Sequence, residues 1–226
     1  MRVIDSSLLK KWYISEYSAC DDVTLFGELR QEFKQFLLKL PDGPGVALEL
    51  GCGDGRNLTA LARKGYSLNG VDMVDSALHS RKINPLLRNM NFQQADILAY
   101  EPGRERYDVL VCSEVLHFFT RDELQQVMPK IINAVKPGGY VFLDLLSDLS
   151  RFFQMTKEPF IWDKEAGLSI EESEAFFDAW LSDFDIFAFN RFFDKQSWPL
   201  SNSKSLPVDP YTWQGTYVSV CARKRH

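Results

Sequence analysis

Between residues 45 and 146, short apolar runs alternate with amphipathic stretches of helical spacing. The runs "VALEL" (46–50), "YSLNGVD" (66–72), "NFQQADI" (91–97), "YDVLVCSEVL" (107–116) and "YVFLDLL" (140–146) predict five strands. Between the first two, "NLTALARKG" (57–65) places Leu58, Leu61 and Ala62 on one helical face and ends at Gly65. "MVDSALHSRKIN" (73–84) predicts a second helix, stopped before Pro85. "TRDELQQVMPKIINAVK" (120–136) opens with Thr120 and Glu123 at capping-box spacing and aligns Leu124, Val127, Met128, Ile131, Ile132 and Val135. "KPGG" (136–139) predicts a helix stop and a turn. This alternation calls for an α/β fold, a mostly parallel sheet with helices on both faces.

The two ends of the chain depart from the alternation. Residues 8–19 and 24–41 read as amphipathic helices that precede the first strand. They form an N-terminal helical cap (1–42) on the outside of the sheet or over its edge. Residues 43–226 form the core, and 1–226 is expected to be a single domain. In the last third, 169–181 reads as a capped acidic helix, and 184–193 and 215–224 as strands. Residues 194–214, rich in Ser, Pro and Asn, predict a loop of unusual length. Such a loop is either a lid or binding loop, or a surface insertion.

Charge and composition narrow the classes of partner. The net charge is −5, and no long run of Lys and Arg occurs, which weighs against nucleic acid. Cys20, Cys52, Cys112 and Cys221 are far apart and form no CxxC pair, so they read as reduced thiols. His79, His117 and His226 show no metal-ligand spacing, and no metal is expected. No apolar run approaches about 18 residues and no signal-peptide pattern opens the chain, so the expected setting is cytoplasmic, with no membrane.

The densest chemical signal is "ALELGCGDGRN" (47–57). Gly51, Gly53 and Gly55 stand between a strand and a helix, where a tight turn and free helix N–H groups favour a nucleotide-like ligand. The spacing is not that of a dinucleotide fingerprint, because Arg56 stands where a third glycine would fall. Glu49, just before the turn, repels a pyrophosphate and suits a ligand carrying an ammonium or sulfonium group. Asp72 closes the second strand, where a carboxylate accepts from ribose hydroxyls. Asp96 closes the third, where it can accept from an adenine amino group.

"ELGCGDGRN", "GVDMVDSAL", "QQADIL", "YDVLVCSEVLHFF" and "KPGGYVFLD" together resemble the ordered motifs of class I S-adenosylmethionine-dependent methyltransferases. The resemblance covers about residues 45–146. Within that superfamily, "GCGDGRN" followed by "ALARKGY" is similar to the small-molecule branch that includes the tellurite-resistance methyltransferases. It implies a Rossmann-like, seven-stranded sheet with an antiparallel C-terminal hairpin. S-adenosyl-L-methionine is the implied cofactor and a small molecule the implied methyl acceptor. By position, Glu49, Gly51, Cys52 and Gly53 would surround the methionine part of the cofactor. Asp72 would hold the ribose, Met73 would pack on the adenine, and Asp96 with the Ile97 N–H would read its edge. Ser113 would line the methionine end, and Tyr13 and Tyr17 would offer ring faces to the sulfonium. His117, just past the fourth strand, is the candidate base; Glu114 is the alternative, or an anchor for a cationic substrate. Arg56 would pair with a cofactor or substrate carboxylate. Phe118, Phe119, Trp198 and Trp213 would suit an apolar substrate. The alternatives are a methyltransferase for RNA or protein, a silent cofactor-binding subunit, and an NAD(P)-dependent enzyme. The acidic charge, the absence of an Asn/Asp-Pro-Pro-Tyr-type motif, and Glu49 with Arg56 weigh against the first and the last.

Overall fold

The computed structural model describes residues 1–20, 24–75, 82, 84–200 and 207–226. Its elements are β1 (Arg2–Ile4), α1 (Ser7–Ala19), α2 (Gln31–Lys39), β2 (Gly45–Leu50), α3 (Arg56–Arg63), β3 (Tyr66–Asp72) and β4 (Asn91–Gln94). They continue with β5 (Tyr107–Cys112), α4 (Arg121–Ala134), β6 (Val135–Phe153), β7 (Pro159–Trp162), α5 (Ile170–Trp180), β8 (Phe184–Trp198) and β9 (Tyr211–Lys224).

Seven strands lie in the order β4-β3-β2-β5-β6-β9-β8. The first five run parallel, and β9 enters antiparallel between β6 and β8. This is the Rossmann-like sheet with an antiparallel C-terminal hairpin. Its strands alternate between two buried faces, as a period of two requires. Leu48, Leu110, Val141 and Val220 join Leu124, Val127 and Ile131 of α4 and Phe177 of α5 on one face. Ala47, Val109 and Phe142 meet Phe33 and Phe36 of α2 and Leu58 and Leu61 of α3 on the other. The capping box at Thr120 forms: its hydroxyl accepts from the Glu123 N–H, and Glu123 accepts from the Thr120 N–H at 2.8 Å. Ser169 and Glu172 form the same box at the start of α5.

Two further strands enlarge the sheet beyond the seven expected. β6 does not stop near residue 146 but runs on to Phe153. Its far half carries β7 antiparallel (Arg151 opposite Phe160) and, beyond it, β1 parallel to β7. The N-terminal segment is therefore not wholly a helical cap: its first residues complete a sheet edge. A third apolar cluster covers this extension, with Trp12 of α1 packed on Tyr211 and with Phe160, Trp162 and Trp213.

The predicted 194–214 loop is also shorter than expected. β8 and β9 stay paired to Trp198 and Tyr211, so only residues 199–210 connect them. Alternation of Tyr211, Trp213 and Tyr217 with polar neighbours puts these rings on the buried side and extends the ladder. The helix predicted over 73–84 falls largely outside the described residues. β4 ends at Gln94, so Asp96 lies in the turn that follows. Among the described residues no helix is long and apolar enough to cross a membrane.

Candidate functional site

A cavity of about 500 Å³ opens beyond the carboxyl ends of β2, β3 and β5. All the cofactor residues expected from the sequence line it: Glu49, Gly51, Cys52, Gly53, Asp72 and Met73 from the first two strand ends, Asp96, Ile97 and Ser113 from the next, and Tyr17 from α1. His117 lines it too.

The turn after β2 has positive φ at Gly51 (71°) and Gly53 (51°), which only glycine adopts at little cost. Space is as restrictive as torsion. A Cβ on Gly51 would run into Val115, and one on Gly53 would stand 2.6 Å from the Tyr17 hydroxyl oxygen. Asp72 holds the turn from the next strand, accepting from the Gly53 N–H at 2.8 Å and the Val74 N–H at 2.9 Å. Burial raises its carboxyl above the usual range, and these hydrogen bonds pull the other way. A carboxylate has about four lone-pair sites, so these bonds do not exhaust it, and Asp72 lines the cavity.

Glu49 is only 2% exposed. Its Oε1 accepts from the Asn57 side chain at 2.7 Å, and its Oε2 has no partner. Burial pushes this carboxyl up to about 8. Cys52 lies buried with its sulfur against Gly70, and burial pushes its thiol well above the usual range. Met73 is 42% exposed beside Asp72, whereas Ile97 is buried. Asp96 is exposed and accepts from the Leu98 N–H at 2.9 Å.

Ser113 donates its hydroxyl hydrogen to Asp144 at 2.7 Å, so that proton is already committed. Asp144, wholly buried on β6, also accepts from the Glu114 N–H at 2.6 Å and faces Arg30 at 3.4 Å. Burial lifts its carboxyl to about 6, against the pull of Arg30. Glu114 sits at φ 61° and accepts from Arg56 at 2.7 Å. Burial raises its carboxyl, but Arg56 and Arg30 outweigh this and hold it below the usual range. Arg56 uses Nη2 on Glu114 and Nη1 on the Phe26 carbonyl, at 3.1 Å, while its Nε is buried with no partner. Glu114, paired in turn, is no open anchor for a cation.

His117 packs on Phe118 with ring centroids 4.2 Å apart. Burial, with Arg151 and Arg30, pushes its imidazole down to about 3, so the ring is neutral at ordinary pH. Its environment opposes the base role read for it from the sequence. Phe118, Phe119, Trp198 and Trp213 line the same cavity, at the end away from the glycine turn, with Tyr211 and Tyr217.

Several of these residues were missed in the sequence. Asp144 is a lone carboxylate inside "YVFLDLL", and that anomaly was its signal. Asp54 accepts from the Thr24 hydroxyl and the Leu25 N–H, both at 2.6 Å, and ties the N-terminal segment to the turn. Arg151 and Trp162 belong to the sheet extension, and nothing local in the sequence marks them.

The fold and the ordered strand-end motifs resemble those of class I S-adenosylmethionine-dependent methyltransferases. The family model described as a methyltransferase domain matches residues 47–139, from β2 to the start of β6. Among curated relatives, the ubiquinone biosynthesis O-methyltransferase of Coxiella burnetii is 30% identical over 102 residues, 44% of this chain and 43% of that enzyme. Phosphoethanolamine N-methyltransferase 1 of Triticum aestivum is 29% identical over 119 residues, 50% of this chain and 24% of that one. The chain thus spans less than half the length of these relatives. Among solved structures, TehB from Haemophilus influenzae superposes with TM-score 0.63 at 18% identity, over 87% of this chain and 63% of that one. A 1,6-didemethyltoxoflavin-N1-methyltransferase from Burkholderia thailandensis, solved with that compound and S-adenosylhomocysteine, superposes with TM-score 0.60 at 16% identity, over 98% and 89%.

Proposed function

We propose that the chain is an S-adenosylmethionine-dependent methyltransferase acting on a small molecule. The observation that carries this reading is Glu49: a buried carboxyl with one unpartnered oxygen, beside a turn that has no room for a Cβ at Gly51 or Gly53. It fits the α-ammonium of an amino-acid-bearing nucleoside and opposes a phosphate. Asp72 offers its open lone pairs to ribose hydroxyls. Met73 and Ile97 flank the adenine, with Asp96 and the Ile97 N–H at its edge. Cys52 contributes its backbone, since its thiol is packed away. Ser113 lines the methionine end with its backbone and its oxygen, the hydroxyl hydrogen being held by Asp144. Tyr13 and Tyr17 close the site from α1.

When bound, the cofactor supplies an electrophilic methyl group on a sulfonium. The chain's part is to align an acceptor with it and to exclude water. Neutral, weakly basic His117 is a poor proton acceptor, so the arrangement favours acceptors that need no base within the site. The curated relatives' names, a ubiquinone biosynthesis O-methyltransferase and a phosphoethanolamine N-methyltransferase, support a small-molecule acceptor.

Calorimetric titration with S-adenosylhomocysteine, beside NAD, tests the reading. Saturable binding of the first alone is expected. Binding of NAD instead, or of neither, would defeat it. Turnover of methyl-labelled S-adenosylmethionine then separates an enzyme from a silent binding subunit.

A further inference from the structure

The two ends of the cavity differ in chemistry. Glu49, Asp54, Asp72 and Asp96 gather at the glycine turn with Arg56, whereas Arg151 lies among aromatic rings at the other end, where Lys164 is paired with Glu123 and Asp5 and Asp163 also line the wall. Arg151 stands on the far half of β6, opposite Trp213 on β9 and Phe160 on β7. It is only 4% exposed, yet among the described residues one nitrogen, Nη1, is hydrogen-bonded, to Glu165. A guanidinium has five N–H donors in a planar fork, so the others are left for a ligand. Its charge also acts on its neighbours: burial raises the Tyr211 phenol while Arg151 pulls it back, and burial with Arg151 lowers the His117 imidazole.

The walls around it are flat and apolar but hold unmet polar atoms. Trp198, Trp213 and Tyr217 present ring surface to the cavity. The indole nitrogens of Trp162 and Trp198 and Nδ1 of His117 are buried with no partner. Buried polar atoms of this kind, the two indole donors above all, are costly unless a ligand supplies partners. An aromatic cage alone would also suit an organic cation. Arg151 is paired with Glu165 through Nη1, and its remaining N–H donors turn the preference of the cage from a cation toward an acceptor oxygen group.

We propose that this end of the cavity holds a planar aromatic acceptor carrying an anionic oxygen group, such as a carboxylate, anchored by Arg151 between the rings of β9 and Trp198. The proposal rests on the methyltransferase reading for the word acceptor, but the anion site itself does not. The group held by Arg151 fixes orientation, and methylation takes place elsewhere on the molecule, toward Tyr13 and Ser113.

The test follows tryptophan fluorescence during titration with 1-naphthoate, 1-naphthamide and 1-naphthylmethylammonium, with and without S-adenosylhomocysteine. The naphthoate is expected to bind at least tenfold more tightly than the amide, and the ammonium least. Arg151→Met alone would strand Glu165, so the double variant R151M/E165Q is used. Its naphthoate-to-amide ratio should fall to near one while S-adenosylhomocysteine still binds. Equal or tighter binding of the amide or the ammonium by the unaltered chain, no naphthoate binding, or an unchanged ratio in the double variant would overturn the proposal. In the unaltered chain, absence of a naphthoate preference with S-adenosylhomocysteine binding intact sinks the anion site alone. The reverse result sinks the methyltransferase reading alone.

Discussion

The hydroxyl oxygen of Tyr17 fills the space that a side chain on Gly53 would need, 2.6 Å from where its Cβ would stand. Helix α1 therefore closes directly on the glycine turn, and the turn cannot accept a larger residue without lifting the helix. Gly53→Ala should cost about 1–3 kcal/mol through backbone strain and this clash. It should also weaken S-adenosylhomocysteine binding at least tenfold, read by calorimetry and thermal melting. Gly167 is a control: its φ is 55°, but a Cβ there meets nothing within 4 Å. Gly167→Ala should lower stability by about 1 kcal/mol and leave binding unchanged. Equal binding losses in the two variants would show that strain, not Tyr17, is responsible.

Glu49 sets a pH dependence. In the free protein its carboxyl keeps a proton up to about 8, where the unfolded chain would lose it near 4.5. The group's contribution to stability is thus fully present below 4.5 and is lost as pH rises through about 8. Pairing with a ligand ammonium reverses the preference, so binding expels the proton. Affinity for S-adenosylhomocysteine should rise with pH, by at most about tenfold per unit, and level off near 8. Glu49→Gln should bind more weakly and show no such slope. 5′-Methylthioadenosine, which lacks the amino acid, should show no slope even with Glu49 present; a slope with that ligand would count against the ammonium contact.

His117 gives the opposite sign. Its imidazole titrates near 3 in the folded protein and near 6.5 unfolded, so stability is lost as pH falls below about 6.5. Denaturant midpoints between pH 7 and 4 should show this loss, and His117→Gln should reduce it. Once an acceptor is in hand, the pH profile of kcat/KM should show no limb from this residue between 6 and 7. A limb that disappears in the variant would restore it as a base.

Asp144 anchors three partners from full burial: the Ser113 hydroxyl, the Glu114 N–H and Arg30. Asp144→Ala would strand the last two, and a loss of about 3–5 kcal/mol is expected in urea unfolding. Asp144→Asn keeps hydrogen bonds but not the charge, and should cost less. Equal costs would mean that Arg30 draws nothing from this carboxylate.

How legible the site was depended on how local its causes are. Glu49, the glycines, Asp72, Asp96 and Ser113 all sit at strand ends in the regular part of the alternation, where position follows from counting. The capping boxes at Thr120 and Ser169 are four-residue patterns and were equally readable. The continuation of β6 to Phe153 was not, because "SDLSRFF" shows no clean alternation and becomes a strand only by pairing with β7 and β9. The length of β8 and β9 was missed for a related reason. Ser, Pro and Asn between them suggested one long loop, while the period of two in Tyr211, Trp213 and Tyr217 carried the strand further in. The ion pair of Arg56 with Glu114 joins residues 58 positions apart and no local pattern announces it.

β6 spans the molecule as one strand, with Asp144 near the glycine turn and Arg151 roughly 20 Å further along at strand rise. One beam thus carries two separable jobs. Its first half belongs to a frame that any user of the same cofactor would keep, while its second half, with β1, β7 and the near ends of β8 and β9, forms an appended annex. Because β5 pairs only with the first half of β6, changes in the annex leave that pairing untouched.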